Sequence, residues 1–354
     1  TDSPFVSMQR VPGTHLWSRT WQVPRTARGM YLLSWPQGPQ PNPQAVWTLP
    51  GRDGITYELF TDPLSRLKYA GTLAPEFPDR NISAFEGAAA PKLTYLEPSP
   101  TAKRGKVLRR QMTSAAFAGA RELSIYLPPG YQQRCSYPWL LAFDAEQFVS
   151  LLSIQTMLDN MIDRRVIPPT VAVLIHSGTT RLLDLPPNDR MQTFLRNELM
   201  PWTRANFGVS ERNDEVAIAG FSHGGLAAMH AGLLNSDVIG NVIAQSGSFW
   251  WAPDLGAVNP AGPLPINANR LSADFARSPR LPLRIYMDVG TWEGHFQIAS
   301  NRQLRDVLLA REYPVTYAEF EGPHDYVAWR ATLPNALIAT LGAHGQRDAC
   351  AAGR

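Results

Sequence analysis

Apolar residues along this chain fall into two regimes. In the later part, continuous apolar runs alternate with amphipathic stretches: "ELSIYLPPGY", "PWLLAFDAE", "TVAVLIHSG", "EVAIAGFS", "GNVIAQSGS", "LRIYMDVG" and "VTYAEFEG". Runs that are apolar on consecutive positions predict strands buried on both faces. Between them, "RMQTFLRNELMPWTRANF" places Met191, Phe194, Leu195, Met200 and Trp202 near helical spacing after an Asn188-Asp189 start signal. "HGGLAAMHAGLL", "SNRQLRDVLLAREY" and "DYVAWRATLPNALIATL" predict further helices, the last with a kink or break at Pro334. Strands separated by helices predict an α/β architecture with a mostly parallel sheet covered on both faces.

Residues 1–85 follow the other regime. "HLWSRTWQV" and "MYLLSW" alternate like half-buried strands, and Pro, Gly and Asn punctuate them. This predicts a small β-sandwich-like N-terminal domain. Residues 86–106 read as an Ala/Pro/Ser-rich linker with a basic end. Residues 107–346 then form the α/β domain, and 347–354 a C-terminal tail.

At 354 residues and 44% hydrophobic content the chain can bury a large core beside a smaller domain. No apolar run reaches the roughly 18 residues of a membrane span. The net charge is +3, yet only four of the 33 basic Lys/Arg residues are lysines: Lys68, Lys92, Lys103 and Lys106. That arginine bias suits bidentate recognition of anionic oxygens. Without a lysine-rich block or a nucleic-acid motif, no nucleic-acid partner is expected. Cys135 and Cys350 lie far apart with no metal-ligand spacing, and no metal site is expected. They are either two free thiols or one disulfide pinning the tail, and the bond is the expectation taken forward. The bond would imply an oxidising compartment, the periplasm, and free thiols the cytoplasm. The chain starts at Thr1 without a signal peptide or initiator Met, as expected of a mature or trimmed form, and carries no signal for oligomeric state.

One apolar run ends in the chemistry. "VAIAGFSHGG" leads from a strand into Gly220-Phe221-Ser222-His223-Gly224, a G-x-S-x-G pattern followed by a helix. That context predicts the nucleophile elbow of an α/β-hydrolase, with Ser222 raised on a turn too tight for side chains at 220 and 224. A serine hydroxyl needs a base. His324 follows the last strand and precedes the last helix, where such a fold keeps its histidine. His295 reads as a solvated loop residue. The orienting acid should come from the loop after "LRIYMDVG", which favours Glu293, with Asp288 inside the strand as the alternative. The backbone of His223 and that of Ala145 or Glu146 are expected to form the oxyanion hole.

Taken together, "MQRVPGTHLWSRTW", "DPLSRLKYAG", "LLAFDAEQF", "AGFSHGGLAAMHAGL", "IAQSGSFWW" and "GPHDYVAWR" resemble the enterochelin (enterobactin) esterases over nearly the whole chain. The resemblance starts partway into the family's N-terminal domain. It implies hydrolysis of ferric catecholate siderophores through Ser222, His324 and Glu293, with Arg181 and Arg330 near the substrate. No cofactor is implied, iron entering only as part of the siderophore. The chain departs from the family at Asp144-Ala145-Glu146-Gln147-Phe148, where Asp-Gly-Glu-Phe-Trp is usual, and at Phe221 and His223. A ferric tris-catecholate is a flat-faced aromatic trianion, which would favour arginines and ring faces. Trp292 and one of Trp250 and Trp251 are the expected faces. The alternatives are a carboxylesterase or acyltransferase of feruloyl or thioester type, and a non-catalytic siderophore carrier. The intact Ser222, His324 and Glu293 set argues against a carrier.

Overall fold

The computed structural model describes residues 6–40, 42–50, 54–73, 80–255, 268–345 and 349–350. The N-terminal region holds eight strands: β1 (Gln9–Arg10), β2 (Trp17–Ser18), β3 (Arg28–Met30), β4 (Leu33–Pro36), β5 (Trp47–Pro50), β6 (Thr56–Phe60), β7 (Leu67–Gly71) and β8 (Arg80–Glu86). They form a two-stranded ribbon β1-β2 and two three-stranded sheets, ordered β3-β8-β7 and β4-β6-β5. The alternation in "HLWSRTWQV" therefore yields only β2. Trp17 and Trp21 remain 55% and 54% exposed.

The catalytic region is one eight-stranded sheet built from β9 (Lys106–Ser114), β10 (Gly119–Leu127), β11 (Trp139–Phe143), β12 (Val171–Ile175), β13 (Val216–Phe221), β14 (Asn241–Gln245), β15 (Arg284–Gly290) and β16 (Val315–Phe320). Its order is β16-β15-β14-β13-β11-β12-β10-β9. The strands from β11 to β16 run parallel, and β9 and β10 are antiparallel at one edge. Every residue of β11, β12, β13 and β14 is buried, as continuous apolar runs require. Side-chain alternation divides the core in two. Trp139, Leu141 and Phe143 of β11 face one layer and Leu140 and Ala142 the other, where Ile82 and Leu96 of the N-terminal region join them.

The helices are α1 (Ala145–Val149), α2 (Ile154–Asp163), α3 (Arg181–Asp184), α4 (Asp189–Thr193), α5 (Met200–Asn206), α6 (His223–Leu234), α7 (Arg270–Arg277), α8 (His295–Ala310) and α9 (Tyr326–Thr340). A π-helical stretch, Phe194–Leu199, joins α4 to α5, and Asn188 caps α4 by accepting from Met191 N at 2.8 Å. Helix α9 continues through Pro334 rather than breaking there.

Residues between β8 and β9 do not behave as a free spacer. Asn160 Nδ2 of α2 donates to the carbonyls of Tyr95 and Glu97, at 2.9 and 2.8 Å. Gly105 N–H donates to buried Asp159 at 2.8 Å. At the other end, Cys135 is disulfide-bonded to Cys350, and Ser136 N–H donates to Ala349 O at 2.7 Å.

Asp288, on β15 beside the edge strand, is fully buried against Tyr286 OH and Gln245 Nε2. Burial pushes its carboxyl from the ordinary 3.8 up to about 7. An acid whose folded pKa exceeds its unfolded value binds protons more tightly when folded. Its stabilising contribution is complete below about pH 4 and is lost as pH rises through 7, at up to about 1.4 kcal/mol per pH unit. The melting temperature of the wild type is therefore expected to fall relative to that of Asp288→Asn between pH 4 and 7, levelling above. A gap independent of pH, measured by thermal melts across this range, would contradict the assignment.

Candidate active site

The parallel strands end on one side of the sheet. Chain order reverses around β11, whose neighbours are β12 and β13, and loops after such strands open a crevice. Ser222 stands in that position after β13. Its backbone sits at φ 57°, ψ −122°, a conformation that a non-glycine residue adopts only when its surroundings impose it. Here they do. Ser222 N–H donates to Gln245 O at 2.9 Å, and Ser222 O accepts from Leu226 N and Ser248 N at 3.1 and 3.0 Å. A Cβ on Gly220 would stand 2.2 Å from the Gly224 carbonyl carbon, and backbone cannot yield as a flexible side chain can. His223 opens α6, so its N–H lies at the positive end of that helix.

His324 follows β16 and Glu293 follows β15. The imidazole Nδ1 lies 2.6 Å from Glu293 Oε2, while Glu293 Oε1 accepts from Gly290 N at 2.6 Å and Ser246 Oγ at 2.5 Å. Trp329 Nε1 donates in turn to Ser246 Oγ at 2.8 Å, and its ring meets the imidazole edge-on at 4.7 Å. The glutamate side chain has no exposed surface, whereas that of the histidine is 35% exposed. A carboxylate bonded at Nδ1 keeps the proton on that nitrogen and leaves Nε2 as the acceptor facing the crevice. Among the described residues, Ser222 Oγ has Ser248 Oγ in reach at 3.4 Å and makes no hydrogen bond to the imidazole. Such bonds are often long before substrate arrives. Asp288 makes no bond to His324; it lies within β15, engaged by Tyr286 and Gln245.

The loop after β11 approaches the elbow from the neighbouring strand. Asp144 there is left-handed, at φ 61°, and fully buried. Arg181 holds it in a bidentate pair, Nε to Oδ1 at 2.8 Å and a terminal nitrogen to Oδ2 at 2.7 Å. Burial disfavours the guanidinium charge, but the Asp144 carboxylate outweighs it and holds the pKa above its ordinary value. The sequence suggested Arg181 as a substrate contact; the structure turns it onto Asp144, where its loss would leave a buried charge uncompensated at about 3–5 kcal/mol. Glu146 accepts from Ser177 and Gly178 N–H at 3.4 and 3.1 Å and faces His176 Nδ1 at 3.4 Å. Burial alone would raise its carboxyl, but His176, its own amide and the Gly178 N–H bring it below the usual range. Ala145, the other backbone candidate, has no exposed surface.

The remaining residues proposed to touch substrate separate into two groups. Trp292 is 38% exposed and stacks on Phe85 of β8, centroids 5.9 Å apart, so it bridges the two regions beside Glu293. Trp250 and Trp251 are 2% and 7% exposed, and Trp250 Nε1 donates to Gln297 Oε1 at 2.7 Å; they fill the core and offer no face to a ligand. Arg330 is buried too, 4.2 Å above the Tyr69 ring of β7, with its pKa lowered by burial. It joins the two regions rather than lining the crevice. The sequence reading passed over Ser246 and Ser248, whose positions after β14 become meaningful only when that strand is seen beside β13.

Among the described residues no group of three His, Cys, Asp or Glu could hold a metal ion. Among the same residues, no helix is long and apolar enough to cross a membrane.

Comparison with known proteins agrees with this architecture. A family described as putative esterase matches residues 114–340, and one described as enterochelin esterase, N-terminal, matches residues 1–95. The chain is 28% identical over 347 residues to the iron(III) enterobactin esterase of Escherichia coli (strain K12), covering 94% of this chain and 81% of that protein. It is 25% identical over 338 residues to the iron(III) salmochelin esterase of E. coli O6:H1, covering 92% and 78%. The crystal structure of the Shigella flexneri enterobactin esterase in the presence of enterobactin matches at a TM-score of 0.74 and 25% identity, covering 95% of this chain and 84% of that one. With a serine raised on a strained turn and the matching sheet behind it, the chain belongs to the esterase family in its enterochelin esterase form, and is a carboxylic ester hydrolase.

Proposed function

We propose that this esterase cleaves the serine ester bonds of ferric catecholate trilactones of the enterobactin type, through an acyl-enzyme on Ser222. The observation that carries the chemistry is the 2.6 Å contact of His324 Nδ1 with buried Glu293, at the same sheet end as the Ser222 turn. His324 Nε2 takes the Ser222 proton as Oγ attacks the ester carbonyl, and Glu293 stabilises the imidazolium that results. The developing oxyanion is received by the N–H of His223, with Ala145 as second donor once the loop after β11 admits it. Nε2 then protonates the departing seryl alkoxide, and water repeats the sequence to release the acyl group.

Likeness to enterobactin and salmochelin esterases across both regions supports the substrate class. The ferric ion would arrive and leave with the substrate, and no cofactor is needed. Trp292, exposed between the two regions, is the ring face offered to a catechol. A general acyl esterase is the second reading, favoured by the fold likeness to the ferulic acid esterase of Anaeromyces mucronatus, TM-score 0.57. The Cys135–Cys350 bond supports an oxidising compartment, the periplasm, which release of the protein by osmotic shock would test.

Ser222→Ala and His324→Ala are each expected to lower turnover by several orders of magnitude while staying folded, since members of one catalytic unit fail together. More than about a tenth of wild-type turnover in Ser222→Ala would rule out its role. Glu293→Gln should lower kcat more than Asp288→Asn does, and the reverse order would transfer the acid to Asp288. Mass spectrometry of digests of iron-loaded enterobactin should yield linear dihydroxybenzoylserine products. Intact trilactone beside rapid hydrolysis of simple acyl esters would favour the general esterase.

A further inference from the structure

The segment carrying His324 is held from a side that takes no part in ester chemistry. Strand β3 of the N-terminal region lies directly along residues 321–325. Met30 N–H donates to Asp325 Oδ2 at 2.7 Å, and the Thr26 hydroxyl bonds the Glu321 carboxylate. A Cβ on Gly29 would stand 2.6 Å from Pro323 Cγ and 3.0 Å from Asp325 Oδ2, so the Gly29 backbone meets the Pro323 ring and the Asp325 carboxylate as closely as glycine permits. A Cβ on Gly322 would likewise stand 3.0 Å from Arg28 O. Both chain neighbours of the histidine, Pro323 and Asp325, are thus pressed or bonded against β3.

Asp325 makes a second bond in the opposite direction. Its Oδ1 accepts from Ala328 N at 2.9 Å, capping α9, and the residue is only 4% exposed. A cap needs one carboxylate oxygen and usually sits in solvent. Here the second oxygen is buried and committed to another region of the chain. The imidazole itself is tethered by a single side-chain bond, to Glu293, and is partly exposed. Its place relative to Ser222 therefore depends on the backbone beneath it, and a displacement of about 1 Å can cost about a hundredfold in rate.

We infer that Asp325 is a positioning residue for His324, and that β3, through Met30 and Gly29, makes the N-terminal region part of the ester-cleaving machinery. This rests on the reading of His324 as the general base.

Asp325→Ser separates the two bonds of Asp325. A serine can still cap α9 but is too short to reach Met30 N. Gly29→Ala disturbs the same contact from the other side. In each variant kcat for a small neutral p-nitrophenyl ester is expected to fall at least about tenfold. KM should stay within about twofold, because no substrate contact is removed. Circular dichroism should report folded protein, and the low-field proton resonance of the His324–Glu293 pair should shift or broaden. The inference is overturned if both variants keep wild-type kcat and that resonance, or if kcat falls only in proportion to folded protein lost. Failure of the base assignment is separate: it would show as turnover surviving in His324→Ala, while the resonance still reports whether β3 holds the imidazole.

Discussion

The approach of Gly220 to the Gly224 carbonyl is the constraint on which the rest depends. It forces the chain to reverse within three residues of a buried strand and leaves Ser222 strained, at an expense of order 1–3 kcal/mol. The strain persists because neighbours on both sides are fixed. Gln245 at the end of β14 and Ser248 just beyond it bond the Ser222 backbone, and Leu226 N–H of α6 donates to the Ser222 carbonyl. Those neighbours stay in place because the central strands are buried on both faces. The outcome is a hydroxyl raised on a strained turn at the end of β13.

Around that point the structure places buried carboxylates, and their partners determine what each can do. Asp144 is neutralised by a bidentate arginine and shapes the loop beside the elbow. Glu293 takes Gly290 N–H and Ser246 Oγ on one oxygen and imidazole on the other, a set that orients charge toward His324. Asp325 takes two backbone N–H groups from two regions of the chain. Asp288 has only neutral hydroxyl and amide partners, and burial raises its pKa to about 7. Four buried carboxylates near one site thus differ by what faces them: an arginine, an imidazole, backbone N–H groups, or neutral hydroxyl and amide groups.

Much of this is legible in the sequence where a local pattern has a local cause. The seven apolar runs all become strands; burial on both faces explains that composition in β11–β14, while β16 at the sheet edge has no buried residue, and helix α6 matches "HGGLAAMHAGLL" residue for residue. The strand-turn-helix context of Ser222 and the places of His324 and Glu293 after their strands could be read for the same reason. Partnerships between distant segments could not. Arg181 and Arg330 are visible as cations, but nothing local says that one meets Asp144 and the other Tyr69. Trp250 and Trp251 look like ring faces until the core closes around them. Residues between β8 and β9 read as a linker by composition, yet α2 supplies bonds that composition does not reveal. The double bonding of Asp325, to Ala328 N at the start of α9 and to Met30 N, depends on a fold contact with β3 that no local pattern shows.

The most direct test of the central claim is where a serine-reactive fluorophosphonate attaches. The account predicts a single adduct on the intact protein, mapped by peptide mass spectrometry to Ser222, forming quickly in the wild type and slowly in His324→Ala. An adduct on another serine, or labelling of Ser222 at an undiminished rate without the imidazole, would contradict it.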